Sequence, residues 1–125
     1  MTDAEIRGIF EGAGDFETRT LRSGENILHA YFIDGLVTSS FIAQYIFRPV
    51  VEELPEDVHL AYEAALRGAV YNAVARPCKD INDAASKIVN GFCVVLFPGA
   101  GAIAFEVRTG VSRGPNPPEV ENTVK

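Results

Sequence analysis

The sequence predicts a single domain of the α/β or α+β class, with a mixed β-sheet of two hairpins covered by three to four helices. The 125 residues are 47% apolar and 22% charged, as in ordinary globular domains. Two pairs of strand-like segments are each joined by turn-forming residues, and segments with helical spacing lie before and between the pairs. We expect this domain to span residues 1–110, and the polar, proline-rich residues 111–125 to form an extended linker.

The chain is acidic, with 11 Lys and Arg residues against 17 Asp and Glu residues and a net charge of −6 at pH 7. It has neither the basic excess nor the basic stripe of a nucleic-acid-binding domain, and an anionic membrane surface would repel it. The longest apolar run, residues 92–97, is far shorter than the roughly 18 residues that span a bilayer. The N-terminal residues 1–10 lack the apolar stretch of a signal peptide.

The N-terminal segment, residues 2–12, is predicted to form a short amphipathic helix. Thr2 or Asp3 is placed to cap this helix, and Glu5 stands at the position of a capping box. The apolar residues that follow recur at helical spacing and give the segment one apolar face.

The next two segments, residues 16–22 and 27–33, predict the first hairpin, because the turn-forming residues 23–26 separate them. The first segment is rich in Thr and poor in large apolar residues, which is typical of an exposed or edge strand. The second segment is apolar on both faces and is therefore expected inside the sheet.

Residues 38–40 are cap-forming, and residues 41–46 then show the apolar spacing of a helix. We expect Arg48-Pro49 to end this helix, because proline disfavours helical geometry in the residue before it. Residues 50–57 include four acids and Pro55 and are predicted to be a solvated linker.

The second half of the chain predicts two further helices and a second hairpin. Residues 60–70 favour a helix, and residues 71–75 either extend it or form a short strand. Residues 80–90 are the clearest helix, with an acidic cap at the start and Asn-Gly at the end. The apolar run 92–97 predicts a buried strand, and residues 102–107 are its hairpin partner.

Few residues in the sequence are candidates for catalysis or for ligand and metal binding. Cys78 and Cys93 are far apart, with only His29 and His59 as further ligands, so we predict reduced core thiols and no disulfide or zinc site. A lone histidine in a strand is more often packed or hydrogen-bonded than catalytic. The glycines at 99–101 lack the lysine of a phosphate-binding loop and are predicted to form a hairpin turn.

Two carboxylates, Asp15 and Asp34, flank the first predicted hairpin. Paired acids perform acid–base chemistry only in a pocket that shifts their pKa values, so turn and cap roles are the favoured interpretation. The residues by themselves predict no catalytic site, no cofactor and no metal, and they indicate an interaction or regulatory domain.

Short motifs nevertheless follow one another in an informative order. They are Asp15-Phe16, Asp34-Gly35-Leu36, Pro49, Gly91, Arg113, Pro118 and Glu121. In this order they resemble the soluble N-terminal region of the A subunit of spore germination receptors, the GerA family. Thr38 stands where the family usually has Asp, and Pro117 stands where it has Glu. The chain stops at Lys125, where the Arg-Gly-Pro signature of the family would begin, so we expect a fragment of a longer protein.

The resemblance implies a non-enzymatic role in receptor assembly and signal relay during nutrient-triggered spore germination. The implied partners are the B and C subunits and other A subunits. The implied location is the cytoplasmic, spore-core side of the inner membrane, which the parent protein would contact only through its missing C-terminal helices. An A-subunit-like paralogue fits equally well. The alternatives are a regulatory domain that binds a germinant or metabolite directly and, more remotely, an enzyme that uses Asp15 and Asp34.

Residue by residue, the resemblance singles out Asp15, Asp34, Gly35, Arg113 and Glu121 as motif or interaction positions. It suggests that Gly35 and Gly91 meet a backbone requirement. It further suggests that Asp34 caps the following helix and that the prolines at 49 and 118 set chain direction. Arg113 and Glu121 are the positions best placed to contact a partner, although a local salt bridge would explain them equally well.

Overall fold

The fold is organised around one antiparallel β-sheet, which a computed structural model describes together with its helices for residues 1–107. The strands are β1 (Phe16–Ser23), β2 (Asn26–Ile33), β3 (Ala73–Pro77), β4 (Cys93–Phe97) and β5 (Gly101–Val107). The helices are α1 (Asp3–Ile9), α2 (Ser39–Ile42), α3 (Arg48–Glu53), α4 (Val58–Leu66) and α5 (Ile81–Val89), and a π-helical turn, Ala43–Phe47, joins α2 to α3.

The α+β form of the predicted fold class is confirmed, together with both hairpins. The strands lie in the order β1-β2-β4-β5-β3, and all four neighbouring pairs are antiparallel, so the sheet is not mixed in strand direction. β1 lies at an edge and β2 lies inside the sheet, as their compositions predicted. Of the two alternatives for residues 71–75, the short strand is the observed one, since β3 begins at Ala73 and pairs with β5.

Both faces of the sheet are buried, because helices cover each of them. The first core lies under α2, the π turn, α3 and α4 and includes Phe32, Ile46, Val50, Ile103 and Phe105. The second core lies under α1 and α5 and includes Ile6, Tyr31, Ala84, Ile88 and Val94. Successive side chains of a strand point to opposite faces, so the inner strands supply both cores.

The two cysteines are buried, as predicted, and neither is in a disulfide. Cys93 belongs to the first core and Cys78 to the second, so the sheet separates them. Burial raises the pKa of the Cys78 thiol to about 11 and raises that of Cys93 as well. A protonated, buried thiol is a poor nucleophile, which agrees with a packing role for both residues.

The predicted caps of the first and last helices are confirmed. The Glu5 N–H donates to the Thr2 hydroxyl at 3.2 Å, and the Thr2 N–H donates to the Glu5 carboxylate at 2.9 Å, which completes a capping box. At the start of α5, the Asp80 carboxylate accepts from the Asp83 N–H at 2.8 Å. Gly91 follows the end of this helix with φ +93°, a conformation that glycine adopts without strain.

The prediction that Pro49 ends the second helix is wrong. The chain stays helical from Ser39 to Glu53, because the π turn comes directly before α3 and Pro49 lies in the first turn of α3. Proline has no N–H to donate inside a continuous helix and its ring crowds the preceding turn, and the helix departs from regular α geometry in the π turn directly before α3. Pro49 is buried rather than marking a change of chain direction at the surface.

The predicted solvated linker, residues 50–57, is wrong for residues 50–53, which belong to α3, whereas residues 54–57 connect α3 to α4. Val50 and Leu54 are buried in the first core, and their spacing of four residues is that of a helix face. Asp57 caps α4, since its carboxylate accepts from the backbone N–H groups of His59 and Leu60 at 2.9 and 3.0 Å. The four acidic residues of this segment led to the linker prediction, although Val50 and Leu54 have the spacing of a helix face.

Because α5 packs one face against the sheet, substitutions at neighbouring positions of this helix should change the free energy of unfolding by very different amounts. Ile88 is fully buried, whereas Val89 is 54% exposed. We expect Ile88→Ala to lower the free energy of unfolding by about 2 to 5 kcal/mol, because it leaves a cavity in the second core. Val89→Ala should change it by less than about 0.5 kcal/mol. Urea unfolding followed by circular dichroism measures both, and equal losses would contradict the observed packing.

Candidate functional site

One end of the sheet brings together six of the motif residues that the structure describes. Because neighbouring strands are antiparallel, β1 and β4 begin at this end, and β2 and β5 finish there. We call it the motif end and define it by Asp15, Phe16, Asp34, Gly35, Leu36 and Gly91. Pro49 lies apart from it, in α3.

The two aspartates of the motif end are neighbours through their backbones. The Asp34 N–H donates to the Asp15 carbonyl oxygen at 2.8 Å, one step beyond the pairing of Phe16 with Ile33. Both aspartates are exposed, so residues 1–107 do not build around them the pocket that acid–base chemistry requires. Asp34 does not cap the next helix as expected, because the N-cap residue of α2 is Thr38.

The loop after β2 meets the turn before β4 at the motif end. The Leu36 N–H donates to the Ile33 carbonyl at 3.2 Å, and Gly35 has φ +96°, so the loop folds back tightly. A Cβ atom on Gly91 would lie 3.8 Å from the Leu36 carbonyl oxygen and 3.9 Å from its Cβ. Two motifs that are distant in the sequence therefore touch, and the Leu36 side chain remains 54% exposed beside them.

Phe16 has a structural role at the motif end. Its ring stacks on that of Phe10 with centroids 4.5 Å apart and lies 6.1 Å from the ring of Tyr31. This stack ties the end of α1 to the start of β1. The resemblance marked Phe16 as a motif position, and the contact gives the physical reason for an aromatic residue there.

Arg113, Pro118 and Glu121 lie outside the described residues. The last described strand, β5, ends at Val107, opposite Ala73 of β3 and at the motif end. The segment that carries these residues therefore follows directly from the motif end in the sequence.

A polar cluster beneath α1 was not found from the sequence. The Tyr31 hydroxyl donates to the Asp3 carboxylate at 2.5 Å, and Arg7 Nε donates to both oxygens of that carboxylate at 2.9 Å. The side-chain Nδ1 of His29 is buried without a hydrogen-bond partner among the described residues, 3.9 Å from the same carboxylate. His29 thus packs against α1, and His59 is exposed at the start of α4.

The pKa values of Asp3 and Tyr31 in this cluster shift in opposite directions. Burial alone would raise the pKa of Asp3, but the hydrogen bonds from Tyr31 and Arg7 outweigh it and hold the pKa below its usual range. Burial, reinforced by the Asp3 carboxylate, raises the pKa of Tyr31. Asp3 is therefore charged at neutral pH and anchors α1 to the sheet.

A cleft of about 680 Å³ lies at the opposite end of the sheet from the motif end. We call it the terminal cleft; its walls come from the start of α1, the start of α5 and the turn between β4 and β5. Its lining includes Glu5, Tyr62, Cys78, Lys79, Asp80 and Gly101. A Cβ on Gly101 would come within 3.0 Å of the Tyr62 ring, so glycine at this position leaves the ring its place in the cleft wall.

The terminal cleft combines apolar and charged groups, but it offers no activated nucleophile. Burial keeps the Cys78 pKa high, and burial also raises the pKa of Tyr62. Within residues 1–107, no three His, Cys, Asp or Glu side chains are grouped so that they could hold a metal ion. None of the helices in this part of the chain has the length and apolar character needed to cross a bilayer.

A family model described as Bacillus/Clostridium GerA spore germination protein matches residues 4–125. The chain belongs to the GerA family. The resemblance found from the ordered motifs is thereby confirmed, although no curated protein matches the sequence.

The fold of this GerA-family chain is similar to a solved structure. This is the crystal structure of the N-terminal domain of the A subunit of the Bacillus megaterium spore germinant receptor GerK3, with a TM-score of 0.66 and 18% sequence identity. The match covers 90% of this chain and 45% of that chain, so the chain spans less than half of the matched protein. At this identity, the likeness shows the fold.

The pKa of Asp3 predicts a pH-dependent contribution to stability. We expect Asp3→Asn to lower the free energy of unfolding at pH 7 by about 1 to 3 kcal/mol, because the variant loses the charged acceptor of Tyr31 and Arg7. Since the folded-state pKa of Asp3 is lowered, this stabilisation is present above the unfolded-state pKa of about 4 and is lost as the pH falls through the folded-state value.

Urea unfolding at pH 7 and at lower pH values down to about 2 tests this prediction. The difference between the wild-type chain and Asp3→Asn should shrink as the pH falls. The exposed Glu11 provides a control, because Glu11→Gln removes the same charge from a site without an ion pair among the described residues. A difference for Asp3→Asn that stays constant with pH would contradict the anchoring role.

Proposed function

We propose that this chain is the N-terminal part of the soluble domain of a germinant-receptor A subunit, and that it acts in receptor assembly and signal relay. The observation that carries this proposal is the motif end. Motif residues from separate segments meet there at the surface, and residues 1–107 build no catalytic pocket around them. In the proposed receptor, the partners are the B and C subunits or other A subunits, and the domain faces the spore core from the inner membrane.

The contacts of the motif end suit a relay. Leu36 is exposed to a partner, while the adjacent loop is tied to β2 by a backbone hydrogen bond and touches Gly91 before β4. β2 and β4 are paired in the interior of the sheet, so a displacement at the loop would pass into both cores. Packed interiors transmit strain because they contain few voids.

The role of the motif end can be tested in the full-length protein with Asp34→Ala combined with Arg113→Ala. We expect reduced receptor levels or impaired nutrient-triggered germination, because a partner contact is removed. Leu36→Glu should have the same effect by placing a charge on the exposed apolar surface. Immunoblots of spore membranes and germination assays are the measurements.

The control for these variants is Leu60→Glu. Leu60 is 60% exposed on α4 and lies outside the motif end. Circular dichroism of the purified domain verifies that each variant folds. If the double variant at Asp34 and Arg113 folds and still supports normal receptor levels and normal germination, the proposed role is refuted.

The terminal cleft favours a second candidate function, direct sensing of a germinant or metabolite. Its volume of about 680 Å³ is in the range of small-molecule sites, and Glu5, Lys79 and Asp80 offer charges of both signs. Such a lining suits a small ligand that itself carries both charges. A non-catalytic domain of this kind would bind the nutrient and pass the signal on through the same sheet.

A thermal-shift screen of the purified chain against amino acids, sugars and dipicolinate tests direct sensing. A ligand at a hundred times its Kd stabilises the folded state by about 2.7 kcal/mol, which raises the Tm by several degrees. Lys79→Gln should reduce the ligand-induced rise in Tm. Lys87→Gln should not, because Lys87 lies in α5 and outside the cleft lining. No shift with any of these compounds would remove this candidate.

A further inference from the structure

A groove of about 260 Å³ lies beside the helical segment that contains the π turn. The turn before β3 forms its other wall. Its lining includes Tyr45, Arg48, Glu52, Glu53, Tyr71 and Asn72. We call it the tyrosine groove. It shares no residue with the motif end or the terminal cleft, although Pro49, one of the motif positions, also lines it.

Tyr71 is held in an exposed position by the fold. It is 71% exposed, the highest fraction among the large apolar side chains at the surface of the described chain. The residue before it, Val70, is 1% exposed and anchored in the first core, and the Ala73 N–H donates to the Val70 carbonyl at 3.2 Å. The backbone is therefore fixed on both sides of Tyr71, and the phenol ring extends from this turn into solvent.

Tyr45 reaches the same groove from the π turn. π-Helical turns are rare and are frequent at functional sites. The Tyr45 ring is half-buried and packs against that of Phe41 with centroids 5.9 Å apart, which restricts its position. The groove thus has one phenol ring on each wall: Phe41 restrains the ring of Tyr45, and the backbone on both sides of Tyr71 is fixed.

The charges of the groove are negative on balance. Arg48 Nε lies 3.4 Å from the Glu52 carboxylate, and this ion pair is exposed and therefore weak. Glu53 has no ion pair within residues 1–107. One arginine against two glutamates leaves a net charge of −1 on the lining.

We propose that the tyrosine groove docks a basic segment of a partner polypeptide, with an arginine or lysine side chain seated against Tyr45, Tyr71 and Glu53. The negative balance and the aromatic faces are both complementary to a cationic side chain. Tyrosine and arginine are also the residues that most often anchor protein interfaces. The open position of Tyr71 calls for a partner chain to cover it, since a small cation would leave most of the ring in water. The proposal depends on the groove alone and not on the receptor role of the motif end.

The test is calorimetric titration of the purified 125-residue chain with hexa-arginine, hexaglutamate and guanidinium chloride. We expect saturable binding of hexa-arginine and none of hexaglutamate. Tyr71→Ala and Glu53→Gln should each weaken hexa-arginine binding by about fivefold, and raising the salt concentration should weaken it further. The matched controls are Leu60→Ala and Glu11→Gln, which remove an exposed apolar side chain and an exposed charge elsewhere and should leave the affinity unchanged.

All four substituted positions are exposed, so the variants should fold, which circular dichroism verifies. Equal weakening by Glu11→Gln and Glu53→Gln would show attraction to the net charge of the chain and overturn the proposal. Guanidinium that binds at the groove as tightly as hexa-arginine would identify a small-cation site and overturn the assignment to a polypeptide. Undiminished binding by Tyr71→Ala would also refute it, whatever the outcome of the receptor-assembly experiment.

Discussion

The burial of both faces of the inner strands is the constraint on which the rest of the structure depends. All five residues of β4 are buried, and β2 and β5 are buried over most of their length. A sheet that is apolar on both sides needs cover on both sides, so α1 and α5 occupy one face and the helical segment from α2 to α4 occupies the other. The edges, β1 and β3, are more exposed. Charged residues in β1 and Pro77 in β3 disfavour pairing with further strands.

Local signals in the sequence were sufficient for the elements whose ends are marked by side-chain chemistry. The capping box at Thr2, the acidic cap at Asp80 and the glycine turns of both hairpins each act within a few residues, and each was predicted. The helix through Pro49 was missed, because proline usually ends a helix and the local pattern does not show the π turn that precedes this one. The sequence left β3 undecided, because its stability comes from pairing with β5, far along the chain.

The candidate sites depended still more on the three-dimensional arrangement. The motif residues were recognisable in order, but the meeting of six of them at one end of the sheet follows from a strand order that local patterns do not encode. The hydrogen bond between Tyr31 and Asp3 joins residues 28 positions apart and could not be predicted from either element alone. The three surfaces also divide the domain: the motif end and the terminal cleft lie at opposite ends of the sheet, and the tyrosine groove lies beside the helices of one face.

The separation of Cys78 and Cys93 by the sheet has a practical consequence for experiments that follow the unfolding of the domain. Each thiol is packed in one of the two cores, so detachment of α1 and α5 would further expose Cys78, which already lines the terminal cleft, while detachment of the opposite layer would expose Cys93. The natural sequence thus carries one chemical reporter per layer, with no engineered cysteine. The order in which the two thiols become reactive towards an alkylating reagent would reveal which layer separates first.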